Sequence, residues 1–465
     1  DREGKVVCSD PNLKFMLQGI LSLGKRDKGL YQFNMALGYA DLHALNLDSR
    51  ELSELQFQAD ANFARRDGTL LGKVDLRQVK GRNASGHFDI GEIKVHSSSD
   101  NSLYRINLNS SFINGRYAGS GNILNLIPDA KSALFSNRLE NVLKDGGKSL
   151  QKYSGNYYSL DFKVLDVASI ATFLEKDIHI QNGSSIEIDL DPQGNLKGAV
   201  RSPLMALGNN YIQNLAIDID APQNLPLSAV IKTETLQSGD IISHGGKIEV
   251  TADTNKADVI LSMDEVENEI SAGGKINFNL RFPERRPGEG LRFLADMGES
   301  RFDINSTIWN FYKGSIGYSK EGIAVSDIGI FSTSQTLKLD GIISKSESDT
   351  LHLQMHDFDA AIANVFVGEK LDMQGRITGS ADLPAVLAKG GLLADFNVSD
   401  MSVAGSKMGN LKFSSLWDEE LNHIKLLARS DLEGKRPLDV SGWLDPADNT
   451  IHGNARIDSL DMGFI

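Results

Sequence analysis

Apolar and polar residues alternate along most of this chain. Ile276, Phe278, Leu280 and Phe282 interleave with Asn277, Asn279 and Arg281, and Leu351, Leu353 and Met355 interleave with His352, Gln354 and His356. The same period of two runs through Phe57-Ala59-Ala61-Phe63, Ile186-Ile188-Leu190, Leu215-Ile217-Ile219, Val259-Leu261-Met263, Leu337-Leu339 and Ile424-Leu426. Each stretch predicts a strand with one apolar and one wet face. Turn clusters separate the stretches, among them Arg66-Asp67-Gly68, Asp191-Pro192-Gln193-Gly194, Lys320-Glu321-Gly322 and Asp445-Pro446-Ala447-Asp448-Asn449. The strand signals recur about every 10 to 15 residues, which adds up to about thirty strands.

Helical text is scarce. Ala130 to Lys144 carries Leu134, Phe135, Leu139, Val142 and Leu143 after Pro128-Asp129 and stops at Gly146-Gly147, which predicts one helix. Asp166 is placed to cap a short helix through Val167, Ile170, Phe173 and Leu174, and a third short helix is expected from Asp359 to Val365. All three lie between strand blocks.

So few helices cannot cover the apolar face of so many strands, and large bare apolar patches are uncommon on folded proteins. Sandwich modules of about 100 residues come with recognisable linkers, and none is present. The pattern therefore predicts an all-β fold: an elongated curled β-sheet (a β-taco, or repeating β-groove) with a few short helices. The expected organisation is a β-groove segment over 1–127, a helical insertion over 128–155 and a continuous β-groove segment over 156–465. A glycine late in a strand recurs at Gly119-Ser120-Gly121, Gly341, Gly375 and Gly442. Inside a strand, glycine permits curvature or close backbone approach.

Composition narrows the chemistry. The 465 residues carry 48 Lys+Arg against 62 Asp+Glu, a formal charge of −14, which disfavours nucleic acid as a partner. Cys8 is the only cysteine, so intrachain disulfides, CxxC redox pairs and Cys-rich zinc sites are ruled out. No apolar run reaches the roughly 18 to 20 residues of a spanning helix. With neither an initiator Met nor a signal peptide, Asp1 is expected to be the cut edge of a larger protein. Aromatic residues are 7% of the chain with three Trp, so the apolar face is mainly aliphatic and suits fluid acyl chains.

The run Leu337-Lys338-Leu339-Asp340-Gly341-Ile342-Ile343-Ser344, through Ser348-Asp349-Thr350-Leu351-His352-Leu353 to Asp357-Phe358-Asp359, resembles the periplasmic TamB-like (translocation and assembly module) and AsmA-like proteins of the Bacteroidota type. Gly375-Arg376-Ile377-Thr378-Gly379-Ser380-Ala381, Ser415-Leu416-Trp417-Asp418 and Val440-Ser441-Gly442-Trp443-Leu444-Asp445-Pro446 continue the likeness in the same order, with Trp443 where the family usually has Tyr. The likeness is clearest from about 270 to 465 and fades toward the N-terminus. It implies a β-groove in a periplasmic protein that is anchored in the inner membrane through a missing N-terminal segment and reaches the outer membrane. It also implies phospholipid acyl chains as cargo and an Omp85-type outer-membrane partner. On that reading Ile276, Phe278, Leu280, Leu337, Leu339, Leu351, Leu353 and Met355 line the lipid groove.

No catalytic, metal or cofactor site is expected. His352 and His356 are four apart, but on a strand that spacing spans about 13 Å and cannot serve one metal ion. Gly147-Lys148-Ser149 mimics the end of a P-loop whose first glycine position is Val142. Neither a GxSxG elbow nor an HExxH motif occurs, so an enzyme is not expected. Asp349-Thr350-Leu351 and Asp458-Ser459-Leu460 resemble periplasmic O-glycosylation sites, and Glu284 to Gly290 reads as a solvated loop. The leading functional expectation is a bridge-like protein carrying phospholipid between inner and outer membrane in support of outer-membrane biogenesis. The alternative is a chaperone for outer-membrane β-barrel assembly, and a glycan-binding β-solenoid ranks third.

Overall fold

The computed structural model describes residues 2–23, 28–66, 69–100, 102–136, 138–143, 153–239, 241–267, 272–284, 289–304, 307–363, 373–388, 391–403, 405–418, 423–445 and 450–457. Two compact units emerge from the contacts, residues 1–140 with 149–254 and residues 141–148 with 255–465. The break at 254/255 falls inside the stretch expected to be continuous.

The first unit holds β1 (Arg2–Asp10), β2 (Leu13–Leu23), β3 (Lys28–Asp41), β4 (Ser53–Arg66), β5 (Thr69–Asn83), β6 (Gly86–Asp100), β7 (Leu103–Ser110), β8 (Ile113–Gly119), β9 (Tyr158–Val164), β10 (Ile178–Ile180), β11 (Ser185–Leu190), β12 (Leu196–Leu207), β13 (Asn210–Ala221), β14 (Leu227–Ser238) and β15 (Ile241–Asp253). The second holds β16 (Lys256–Glu267), β17 (Ala272–Arg281), β18 (Phe293–Met297), β19 (Arg301–Ile304), β20 (Thr307–Phe311), β21 (Ser315–Tyr318), β22 (Gly322–Phe331), β23 (Thr336–Ser344), β24 (Thr350–Asp359), β25 (Met373–Pro384), β26 (Leu393–Val403), β27 (Ser406–Asp418), β28 (His423–Asp431), β29 (Leu438–Asp445) and β30 (Thr450–Ile457). Every described pairing is antiparallel, mostly between neighbours in the chain, as expected of hairpin after hairpin. The all-β expectation of a curled sheet with few helices describes the fold.

Among the described residues there are three α-helices: α1 (Leu126–Phe135), α2 (Glu140–Leu143) and α3 (Ala168–Phe173). The single helix expected from Ala130 to Lys144 is instead two. Arg138 ends the first by donating to the Ala133 carbonyl (2.7 Å), one of the acceptors a helix terminus leaves unpaired, and to the carbonyls of Leu225 (3.0 Å) and Pro222. Pro128 sits in the first turn of α1, where its missing N–H costs nothing. Asp166, expected to cap α3, lies one residue before its N-cap Val167 and accepts from the Ala168 N–H, the first of the helix, at 3.0 Å. The third expected helix is a 3-10 turn, Ala360–Ala363, and residues 364 and 365 lie outside the described residues. Also outside them are Asp67-Gly68, Gly146 to Ser149, 285–288, 446–449 and Asp458-Ser459-Leu460.

Bulges bend the strands. In β22, β24 and β26 one extra residue is inserted between Val325 and Ile328, Met355 and Phe358, and Val398 and Met401. The residue before each second apolar position is an aspartate with positive φ: Asp327 (51°), Asp357 (47°) and Asp400 (52°). Each N–H, lost to the ladder, finds a side chain on the next strand: Asp340 (3.1 Å), Thr378 (3.0 Å) and Asn410 (3.2 Å). Bulges kink a strand and raise its twist, so their recurrence on alternate strands curls the sheet. Rings of Trp309 and Phe358 meet at 5.5 Å although β20 and β24 are separated by β22 and β23, a span of about 14 Å in a flat sheet.

The late-strand glycines sit where backbones press together. At Gly341 (φ +119°) an added Cβ would collide with the carbonyl oxygen of Thr350, and at Gly379 (φ +155°) with that of Asp395. Only glycine fits either position.

Candidate functional site: one apolar face in each unit

Cross-strand register defines the site, because residues paired across a sheet project to the same side. In the first unit Gly4, Gly19, Phe33, Ala61, Val74, Val95, Leu108, Gly115, Phe162, Ile186, Val200, Ile217, Ile231 and Ile248 are successive partners across fourteen strands. Every one is apolar or glycine. At about 4.8 Å per strand the row runs roughly 60 Å. One position over, the row from Asn62 reads Lys73, His96, Asn107, Arg116, Asp161, Glu187, Ala199, Asp218, Val230 and Glu249, mostly charged or polar. The two faces thus differ in kind, not in degree.

Among the described residues, helices cover the apolar face of the first unit only locally. Beneath α1 lies a row containing Tyr158, Leu190, Leu196 and Ala221, all buried. The carboxylate of Asp129 in α1 is buried with them and accepts from the hydroxyls of Tyr158 (2.6 Å) and Ser154. Burial raises the Tyr158 hydroxyl's pKa, and the bond to Asp129 adds to it. Desolvation pushes the neighbouring Tyr117 up to about 12, and its hydroxyl donates to the Gly121 carbonyl at 2.6 Å. Phe173 of α3 packs on Val79 and Ile90. Two side chains hold that helix end: Asn83 donates to the carbonyls of Thr172 (2.8 Å) and Phe173 (3.1 Å), and Arg50 donates to the Phe173 carbonyl while its guanidinium stacks 5.3 Å from the ring. Arg50 in turn holds the Asp48 carboxyl below the usual carboxylate range. Elsewhere Val200, Ile217, Ile231 and Ile248 remain half-buried, and Ile186 is 43% exposed.

In the second unit the eight candidate groove residues fall on one face. Leu280 and Leu351 belong to the row Ala257, Leu280, Ala295, Ile316, Val325, Gly341, Leu351, Leu383. Leu339 and Leu353 are partners in the next row, which continues through Ala381, Ala394, Ser415, Leu426, Gly442 and Gly453. Leu337 and Met355 pair in a third row, which passes Phe396, Phe413, Ala428 and Val440. Ile276 and Phe278 alternate with Leu280 on β17, opposite Leu261 and Val259. No charged side chain occurs in these rows. Leu351 is buried and the other seven are half-buried.

His352 and His356 stand on the opposite, wet face of β24, both exposed, and the His352 imidazole pairs with Asp382 at 2.7 Å. The wet face of the second unit carries further cross-strand pairs, Arg281–Asp296 (2.7 Å) and Arg429–Asp439 (3.2 Å), and that of the first unit carries Arg116–Asp161 (2.9 Å). Exposed pairs of this kind contribute at most about 1 kcal/mol each. Among the described residues no helix is long and apolar enough to cross a membrane.

Alternation alone found the apolar face. It did not find the aspartate bulges, although the triads Ser326-Asp327-Ile328, His356-Asp357-Phe358 and Ser399-Asp400-Met401 interrupt the period of two at each. Nor did it find the Asp129–Tyr158 contact, which joins segments 29 residues apart. No family model, curated protein or solved structure matches this chain.

Proposed function

We propose that the apolar faces hold lipid acyl chains, and that this chain is part of a periplasmic, inner-membrane-anchored bridge that carries phospholipid toward the outer membrane. One observation carries the reading: the first unit's apolar row crosses fourteen strands without a charged side chain and, among the described residues, is covered by helices only in places. An acyl chain reaches about half the ~30 Å hydrocarbon core of a bilayer, so a row of roughly 60 Å could take several end to end. Burying methylenes on such a surface contributes about 0.8 kcal/mol each, without demanding a fixed pose. The resemblance of 337–359 to TamB-like proteins supports the same reading, with an Omp85-type protein as the outer-membrane partner.

Lipid extraction from vesicles tests it. The purified chain, incubated with vesicles and separated from them, should retain phospholipid countable by mass spectrometry. Ile217→Asp and Leu353→Asp put a charge where a bound chain would desolvate it, at several kcal/mol. Both should lower bound lipid at least about tenfold with the β-sheet circular dichroism unchanged. Retention of lipid by both variants contradicts the proposal.

The second reading, strand addition by outer-membrane clients, is favoured by β30. All eight of its residues are exposed, and among the described strands it pairs with β29 alone. Backbone-blocking substitutions there would then matter, and charges on the apolar rows would not.

A further inference from the structure

Trp309, the third residue of β20, is 1% exposed, and its indole N–H has no acceptor among the described residues. It pairs with Phe302, which pairs with Gly274 on β17, the strand that presents Ile276, Phe278 and Leu280 at alternate positions. Register therefore puts the indole on the apolar face. The Phe358 ring, tilted 54° at 5.5 Å, offers the N–H no more than a weak π contact. Buried donors nearly always have partners, and an orphan carries its full desolvation penalty. Other polar groups on this face are satisfied from within: the Ser415 hydroxyl donates to the Leu392 carbonyl (2.5 Å) and that of Ser430 to the Leu438 carbonyl (3.4 Å).

We propose that the Trp309 N–H is a polar anchor that donates to the carbonyl oxygen of an acyl ester, so that the second unit prefers ester-linked lipid to ether-linked lipid. This rests on the lipid reading above. A phosphate is a poor candidate for the same place, because its charge would need a cation and the apolar rows supply none. The carbonyl that joins chain to glycerol is the acceptor an otherwise apolar guest brings to that depth. Entry requires the Phe358 ring to swing off the indole.

Binding of a diester phosphatidylcholine and of its diether analogue with the same chains, counted by mass spectrometry on the full chain, tests the proposal. One hydrogen bond predicts roughly five- to tenfold tighter binding of the diester. Trp309→Phe keeps a ring and removes the N–H, so it should bring the diester down to the diether level and leave diether binding unchanged. Equal binding of both lipids to the parent protein overturns the proposal, as does a variant that weakens both alike, the mark of a purely structural ring. Binding of neither lipid to the parent contradicts the lipid reading itself.

Discussion

The backbone N–H of Asp357 donates to the hydroxyl oxygen of Thr378, 3.0 Å away on the neighbouring strand, at the point where β24 and β25 slip by one residue. Asp327 with Asp340 and Asp400 with Asn410 repeat the arrangement on β22 and β26, two strands to either side of β24. The side chain takes over the bond that the bulge removed from the ladder, so the bend costs the sheet no unpaired donor.

Thr378→Val keeps the shape and deletes the acceptor. It should cost about 1 kcal/mol in urea unfolding, read as a lower midpoint at unchanged m-value. Asp357→Val should cost more, since a β-branched residue tolerates φ near +47° poorly, whereas Asp357→Gly should be close to neutral. A Thr378→Val midpoint equal to that of the parent would show that the latch contributes nothing.

Two glycines separate close approach from backbone strain. Gly434 has φ +80° and open space around its missing Cβ, so alanine there should cost about 1–2 kcal/mol. Gly341→Ala adds a collision with the Thr350 carbonyl and should cost several kcal/mol or block folding of the second unit. Similar stabilities for the two variants would contradict the packing described for β23 and β24.

Tyr117 gives the fold an alkaline limit. Its hydroxyl pKa is raised by burial from 10.0 to about 12, so the folded state keeps a proton that the unfolded state has lost between those values. Stability contributed by the raised pKa is complete below pH 10 and declines as pH rises to about 12, by roughly 2 to 3 kcal/mol. Tyr117→Phe should lower stability at pH 8, through loss of the bond to Gly121, yet flatten the decline above pH 10. Parallel stability-against-pH curves for parent and variant would contradict this.

Fold class was legible because a half-buried strand writes itself into the chain as alternation. Leu351, Leu353 and Met355 need nothing but their neighbours to declare a face, and β24 obeys them. The aspartate bulges were hidden because each depends on a partner from another strand: nothing local to Asp357 says that Thr378 will accept its N–H. Likewise the break between α1 and α2 is made by the Pro222 and Leu225 carbonyls, more than 80 residues from Arg138. Trp309 as the orphan donor was invisible for the same reason, since an absent acceptor can be recognised only once every neighbour is placed.

The central claim is that the apolar face, and not the wet one, meets lipid. A photo-crosslinking residue at Val200 or Leu353 probes the first, and one at Ala199 or His352 probes the second, each pair being adjacent on one strand. After illumination with phospholipid vesicles, mass spectrometry of the protein should find lipid adducts at Val200 and Leu353 and few at Ala199 and His352. Equal adducts on both faces, or none at Val200 and Leu353 while lipid is present, would contradict the account.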